Sequence, residues 1–125
     1  MKSLNFQKGK LGETIAKDFL LKKGYKIISQ NFQNRFGEID LIMTDKNILV
    51  FVEVKLKVGQ DFGSPEEMIT SKKIQKIKNQ ALLFLQQNQK ISAEYPQQRI
   101  DAVCIVLNDN DLQVKTINHY QNITG

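Results

Sequence analysis

Charged residues interrupt the two most apolar stretches of this chain, Ile39–Met43 and Ile48–Val54. Asp40 lies within the first stretch, and the sequence Glu53-Val54-Lys55 follows thirteen positions later, at the end of the second. Because an unpaired charge is costly to bury, a fold tolerates this pattern only where each charge has a partner or a use. Two acids and a lysine at one place are the minimum that holds a divalent metal against a phosphodiester.

The composition is that of an ordinary globular protein with a modest excess of positive charge. The 125 residues are 41% hydrophobic and 25% charged, which predicts a single domain, residues 1–125, with a substantial core. The formal net charge of +5 favours a polyanionic partner. The chain has no apolar run of about 20 residues and no signal-peptide pattern, so we expect a cytoplasmic protein with no membrane partner.

Cysteine and histidine are too scarce for a disulfide or a zinc site. The single cysteine, Cys104, fits a reducing cytoplasm, and its apolar neighbours predict a buried side chain. The single histidine, His119, is expected on a frayed C-terminal end rather than in a catalytic role. One residue of each type disfavours zinc binding.

Apolar periodicity predicts an α+β fold, in the order α-β-β-β-α-β-β, with a mixed sheet flanked by helices. Leu11, Ile15 and Phe19 form the stripe of a first helix, which Gly24 closes. The turn Asp45-Lys46-Asn47 predicts an antiparallel hairpin whose strands are apolar on both faces and therefore central. The predicted elements are helix Asn5–Lys23, strands Tyr25–Ser29, Gly37–Thr44 and Asn47–Leu56, a helix from Ser64 to about Gln89, and strands Arg99–Leu107 and Leu112–Ile117.

Three details of this assignment are open to test by the structure. A polar connection, residues 31–34, should follow the first strand. Ser64 should cap the second helix through a capping box, with a break near Thr70. Leu83, opposite the core stripe of that helix, is an exposed apolar residue that fits a homodimer surface.

The hairpin should bring its charges to one point. Because side chains alternate along a strand, Glu53 and Lys55 share a face. On the partner strand, Glu38, Asp40 and Ile42 share a face. A register that sets Asp40 beside Glu53 points two carboxylates at a common spot. With the backbone carbonyl of Val54, they are predicted ligands of Mg²⁺ or Mn²⁺. Lys55 would orient or deprotonate the attacking water, or stabilise charge on phosphorus.

Glu13 is the fourth predicted site residue. It lies beside Gly9, at the margin of the first helix's apolar face. Gly9 and Gly12 weaken a helix but suit one that must approach a sheet closely. Glu13 would then reach the water shell of the metal.

Three basic residues are candidate contacts to a nucleic acid: Arg35 before the hairpin, Lys57 on the face of Lys55, and Lys73 at the border of the second helix's polar side. A structural interpretation also stays open at this stage. Asp40 and Lys55 would form a salt bridge with Glu53 at a solvated strand end, and Glu13 and the helix lysines would be solvated surface residues.

The chain resembles the YraN-like family of small bacterial proteins, which are predicted endonucleases. The resemblance covers about residues 8–117. It rests on Gly9-Lys10-Leu11-Gly12-Glu13, Gly37-Glu38-Ile39-Asp40-Leu41-Ile42 and Phe51-Val52-Glu53-Val54-Lys55, supported by Gly24-Tyr25, Asn31-Phe32, Phe62-Gly63-Ser64-Pro65 and Lys73.

The resemblance implies a three-layer, restriction-endonuclease-like fold of the PD-(D/E)XK class. In its motifs the chain is similar to the archaeal-type Holliday junction resolvases, which are dimeric and cut branched DNA with Mg²⁺. Carried over position by position, Glu13, Asp40, Glu53 and Lys55 match the acids and the lysine of that catalytic site. The chain departs from the family pattern at Gln33, where a basic residue is expected.

The leading hypothesis is a Mg²⁺- or Mn²⁺-dependent DNA endonuclease that acts on branched or structured DNA. The alternative is a non-catalytic module that binds nucleic acid or a protein on the same fold. A structural partner protein is a third possibility. A DNA-binding module would show strongly salt-dependent affinity and no metal requirement.

Overall fold

The described strands form a five-stranded mixed sheet with helices on both faces. The computed structural model describes residues 2–59, 61 and 63–125, with the backbone alone described for residues 2–7. The helices are α1 (Lys2–Lys22), α2 (Ser71–Gln87) and α3 (Gln89–Glu94), with a 3-10 turn at Pro65–Met68, and the strands are β1 (Lys26–Asn34), β2 (Gly37–Asp45), β3 (Ile48–Val58), β4 (Gln97–Leu107) and β5 (Val114–Tyr120).

The strand order in the sheet is β1-β2-β3-β4-β5. Neighbouring strands are antiparallel except for β3 and β4, which are parallel. Parallel neighbours need a long crossover, and the chain between β3 and β4 supplies it with α2 and α3. The predicted element order, the central hairpin and the mixed sheet are confirmed, with α3 as an additional short helix.

Each face of the sheet has its own apolar cluster, so the molecule has three layers. On one face, Ala16 and Leu20 of α1 pack against the sheet. On the other face, Phe84 of α2 sets its ring edge-on against Phe51, with centroids 5.9 Å apart, and against Phe32 at 5.2 Å. Such edge-to-face pairs add to the burial of area and hold α2 in one position.

The buried side of α1 is displaced from its predicted stripe. Leu11 is 40% exposed, and the other two residues of that stripe are only partly buried. Gly12, Ala16 and Leu20 form the buried line instead. The small residues Gly12 and Ala16 let the helix axis approach the sheet, and a leucine at position 12 would hold the helix away.

Gly12 is the residue that allows this approach. A Cβ at Gly12 would lie 3.3 Å from Leu56 Cβ, which is tighter than ordinary packing, whereas a Cβ at Gly9 would meet nothing within 4 Å. The prediction that glycines serve a close approach is therefore confirmed at Gly12 and wrong at Gly9.

Residues 31–34 belong to β1, so the prediction of a polar connection there is wrong. Phe32 pairs with Ile39, and Gln33 pairs with Glu38 across the β1–β2 ladder. An edge strand tolerates polar side chains on its solvated face, and the pairing with β2 therefore outweighs the polar composition.

The second helical region begins and ends differently from its prediction. Ser64 makes no side-chain cap and precedes the 3-10 turn; Thr70 caps α2, its Oγ1 accepting from the Lys73 amide at 3.2 Å. The predicted break near Thr70 is confirmed. The predicted exposed leucine is wrong by one position, because Leu82 is 58% exposed and Leu83 is half-buried.

A buried polar network closes the sheet on the side of α1. Asp101 is fully buried and accepts hydrogen bonds from Arg99 Nε and His119 Nε2, both at 2.9 Å, and from the Asn122 amide at 3.0 Å. Arg99 Nη2 also donates to Tyr25 and, at 2.9 Å, to Asp45. Although burial alone would raise it, hydrogen bonds from His119 and Arg99 hold the pKa of Asp101 below its usual range.

His119 lies inside β5, and its side chain is 2% exposed, so its predicted position on a frayed end is wrong. Cys104 is buried in β4, as predicted. Among the described residues, no helix has the length and hydrophobicity needed to cross a bilayer.

Candidate metal centre

The two central strands separate at Asp40 and Glu53. The β2–β3 ladder ends with Leu41 opposite Val52, so Asp40 and Glu53 are the next pair along the same register. Instead of a further ladder bond, the Val54 amide donates a hydrogen bond to Oδ2 of Asp40 at 2.8 Å. The register expected from the sequence is confirmed, and the Asp40 side chain lies between the two strands.

Side-chain alternation along β2 is interrupted at Asp40. Leu41 packs in the cluster under α1, whereas Ile39 and Ile42 both pack in the cluster under α2. Strict alternation would have set Ile39 with Leu41. Asp40 thus lies where the strand changes face, within the electrostatic reach of Glu13 on α1 as well as of Glu53.

Three carboxylates converge beside this separation. Glu13, Glu38 and Asp40 each present one oxygen, and these oxygens lie within 4.8 Å of one another. Oε1 of Glu13 is buried and has no hydrogen-bond partner among the described residues. Glu38 Oε2 accepts from Gln33 Nε2 at 2.7 Å. Gln33, at a position where a basic residue was expected, therefore orients a carboxylate of the cluster.

Glu38 is the residue that motif reasoning left out of the site. The sequence did contain a signal, because Glu38 is two positions before Asp40 and alternation sets both on one strand face. Glu38 belongs to the cluster because α1 brings Glu13 to the same place.

Burial and mutual repulsion make the charged forms of the clustered carboxylates less stable. Burial, repulsion from Glu53 and weaker repulsion from Glu13 and Glu38 raise the pKa of Asp40 to about 8, against the opposing hydrogen bond from Val54. Burial and then repulsion from Glu38 also raise the pKa of Glu13, which the charge of Lys10 opposes. A cation placed among these oxygens would relieve both effects.

Glu53 lies on the α2 side of the separation, between two lysines. It is 3% exposed, and its Oε1 is 3.6 Å from both Lys55 Nζ and Lys73 Nζ. Burial raises the pKa of Glu53 despite the opposing charges of Lys73 and Lys55. The structural alternative, with Asp40 paired to Lys55 and Glu53 solvated, does not match this arrangement.

Lys73, predicted as a nucleic-acid contact, is thus part of the acidic site itself. The N-terminal turn of α2, capped by Thr70, carries it to Glu53. Lys57 lines a groove of about 360 Å³ together with Lys8 and Lys55. Arg35 lies in the β1–β2 turn, with its guanidinium 4.8 Å from the centroid of the Phe36 ring.

The side chains present fit a hard divalent cation. All the donors of the cluster are carboxylate oxygens, the ligands that Mg²⁺ and Mn²⁺ prefer, and the buried oxygen of Glu13 has no hydrogen-bond partner in the part of the chain that the structure describes. Glu13, Glu38 and Asp40 therefore form a group that could bind a metal ion.

A mixed sheet between helical layers, with acids and lysines where a central hairpin opens, is consistent with a nuclease-like fold. The protein-family sequence model described as "Uncharacterised protein family UPF0102" matches residues 12–105, a range that includes every acid of the cluster. The chain belongs to the UPF0102 family, the YraN-like group that its motifs resemble.

Relatives in the family match nearly the whole chain. A UPF0102 protein of Syntrophomonas wolfei is 40% identical over 119 residues, covering 95% of this chain and 98% of that protein. A UPF0102 protein of Thermodesulfovibrio yellowstonii is 44% identical over 114 residues, covering 91% of this chain and 92% of that protein.

Phe62, one residue of the motifs that carry the family resemblance, lies outside the residues that the structure describes.

Proposed function

We propose that this protein is a Mg²⁺- or Mn²⁺-dependent DNA endonuclease that hydrolyses phosphodiester bonds. The observation that supports the proposal most is the convergence of Glu13, Glu38 and Asp40, with a buried carboxylate oxygen that no described residue bonds. A purely structural cluster would be expected to satisfy that oxygen with a donor.

Asp40, Glu13 and Glu38 would hold the metal, with Glu53 and the Val54 carbonyl as the further ligands predicted from the sequence. A bound divalent cation supplies Lewis-acid stabilisation of charge on the phosphodiester. The Val54 amide contributes by holding Asp40 in place through its 2.8 Å hydrogen bond.

Lys55 and Lys73 would serve the reacting phosphate. Both ammonium groups lie 3.6 Å from the same oxygen of Glu53, which holds two positive charges at one position beside the cluster. An ammonium fixed in this way stabilises the negative charge that develops on phosphate oxygens during hydrolysis. Lys57 and Arg35 would contact phosphates on either side of the cleaved bond. The protein would carry out this reaction in the cytoplasm.

Cleavage assays test the proposal directly. Linear, nicked, flapped and four-way DNA are incubated with the protein and Mg²⁺ or Mn²⁺, using wild type, Asp40→Asn, Glu53→Gln and the control Asp18→Asn. Asp18 is an exposed acid of α1 outside the cluster. We expect metal-dependent cleavage by wild type and Asp18→Asn, and a loss of roughly 100-fold or more in the two site variants.

Absence of cleavage on all four DNA forms, with both metals, would reject the catalytic proposal. DNA affinity that falls steeply with salt and needs no metal would then favour the non-catalytic module.

A further inference from the structure

Phe36 is an exposed aromatic residue that shortly precedes Glu38 of the acidic cluster in the chain. It is 61% exposed, the highest value among the large apolar side chains that the structure describes. It lies in the turn between β1 and β2, two residues before Glu38. The Arg35 guanidinium is 4.8 Å from its ring centroid, so one face of the ring carries a cation.

A cavity of about 430 Å³ opens between Phe36 and α2. This volume is within the range of pockets that take small ligands. Its lining combines apolar and polar groups: Leu82 and Leu83 lie with Phe36, and the polar residues are Lys76, Asn79, Gln80 and Gln86. It therefore offers a stacking surface, amide groups and a positive charge in one place.

The aromatic wall of this cavity is held in position by hydrogen bonds. Asn34 Oδ1 accepts from the Phe36 amide at 2.8 Å, and Asn34 Nδ2 donates to Gln80 Oε1 at 2.7 Å. Gln80 is 3% exposed. The turn also needs Gly37, whose φ of +145° is costly for other residues. The turn is thereby tied to α2, and little ordering would remain to be done on binding.

We propose that this cavity binds an unpaired nucleobase of the DNA substrate, stacked on Phe36. The inference rests on the part of the proposed function that makes DNA the ligand. Every base has a π-face that stacks on an aromatic ring, and side-chain amides bond to base edges. The cation at Lys76 complements the phosphates of the same strand. A base inside a duplex is stacked and paired and cannot enter.

The position of the cavity relates it to the cleavage site. Lys73, at Glu53, and Gln80, at the cavity, are seven residues apart on α2, which is about 10 Å at 1.5 Å per residue. This distance is about three stacked nucleotides at 3.4 Å each. The cavity would therefore select DNA with a gap, flap or branch close to the scissile phosphate.

Binding without metal tests the inference independently of cleavage. Fluorescence anisotropy in EDTA compares an intact duplex with the same duplex carrying a short gap, for wild type, Phe36→Ala, Phe36→Tyr and Leu21→Ala. Leu21, 41% exposed on α1, is the matched apolar control. A gap base replaced by 2-aminopurine reports stacking through its emission, and circular dichroism checks that each variant is folded.

We expect Phe36→Ala to weaken binding of gapped DNA roughly tenfold, equivalent to about 1.4 kcal/mol, while duplex affinity is unchanged. Phe36→Tyr and Leu21→Ala should bind like wild type. The emission of 2-aminopurine should change when the DNA binds a protein with phenylalanine or tyrosine at position 36, and should not change when it binds Phe36→Ala.

Equal effects of Phe36→Ala on both DNAs, or an unchanged 2-aminopurine signal, would overturn the inference. So would a concentration-dependent dimer that Phe36→Ala abolishes, because a second copy would then occupy this face. Gap-selective binding without cleavage would reject the nuclease and keep the base site. Cleavage with binding independent of Phe36 would reject the base site alone.

Discussion

The backbone amide of Val54 donates a hydrogen bond of 2.8 Å to the carboxylate of Asp40, on the neighbouring strand. This bond holds the side chain where β2 and β3 separate, beside Glu53 and the acids of the cluster. An asparagine at position 40 can still accept it, whereas an alanine would leave a partly buried N–H without its acceptor. Asp40→Asn is therefore the substitution that isolates the charge.

The first prediction concerns the pH dependence of stability without metal. The pKa of Asp40 is raised to about 8 in the folded protein, against about 3.9 in an unfolded chain. The folded state therefore binds the proton more tightly, so its contribution to stability is complete below pH of about 4 and is lost as pH rises toward 8. We expect the free energy of unfolding to fall across this window, and Asp40→Asn to flatten the fall.

Urea denaturation in EDTA at a series of pH values measures this effect. At a pH of about 8, Asp40→Asn should be more stable than wild type by on the order of 1–2 kcal/mol. Asp18→Asn, at an exposed position, is the control and should follow the wild-type curve. Parallel curves for wild type and Asp40→Asn would contradict the raised pKa.

The second prediction concerns the members of the cluster. Glu13→Gln and Glu38→Gln each remove one charge from a group whose oxygens lie within 4.8 Å of one another. We expect each to weaken Mn²⁺ binding by roughly tenfold or more, measured by isothermal titration calorimetry. Because the acids must lose protons to bind the ion, affinity should also rise with pH. Full affinity in Glu38→Gln would show that Glu38 is not a ligand.

The third prediction contrasts two glycines on the same helix. A Cβ at Gly9 meets nothing within 4 Å, so Gly9→Ala should stabilise the protein by about 0.5–1 kcal/mol through helix propensity alone. A Cβ at Gly12 would lie 3.3 Å from Leu56 Cβ, so Gly12→Ala should lose that gain to overpacking. Thermal unfolding of both variants measures the difference, and equal stabilisation would refute the close approach of α1.

A fourth prediction separates the buried polar network from the metal centre. Asp101 is fully buried and bonded to Arg99 and His119, so Asp101→Leu leaves buried donors of both residues without their acceptor. We expect a loss of about 3–5 kcal/mol in unfolding free energy. Urea denaturation measures it, and Mn²⁺ affinity below the unfolding transition should be unchanged. A wild-type-like midpoint would mean that the network does not contribute to stability.

The sequence by itself determined the central hairpin and allowed a register that sets Asp40 beside Glu53. Both follow from local rules: side-chain alternation fixes which residues share a face, and a short turn fixes the register of the strands that it joins. The break at Thr70 was also predicted, because a helix start depends on neighbours within a few residues, and the mixed sheet followed from the order of the predicted helices and strands.

Only the tertiary structure decided which distant groups meet. Glu38 joins the cluster because α1 approaches the sheet at Gly12 and brings Glu13 with it. Lys73 lies beside Glu53 because α2 packs on the face of the sheet opposite to α1. His119 contacts Asp101 because β5 pairs with β4. These contacts join residues far apart in the chain, and their geometry is set by the packing of whole elements rather than by any local pattern.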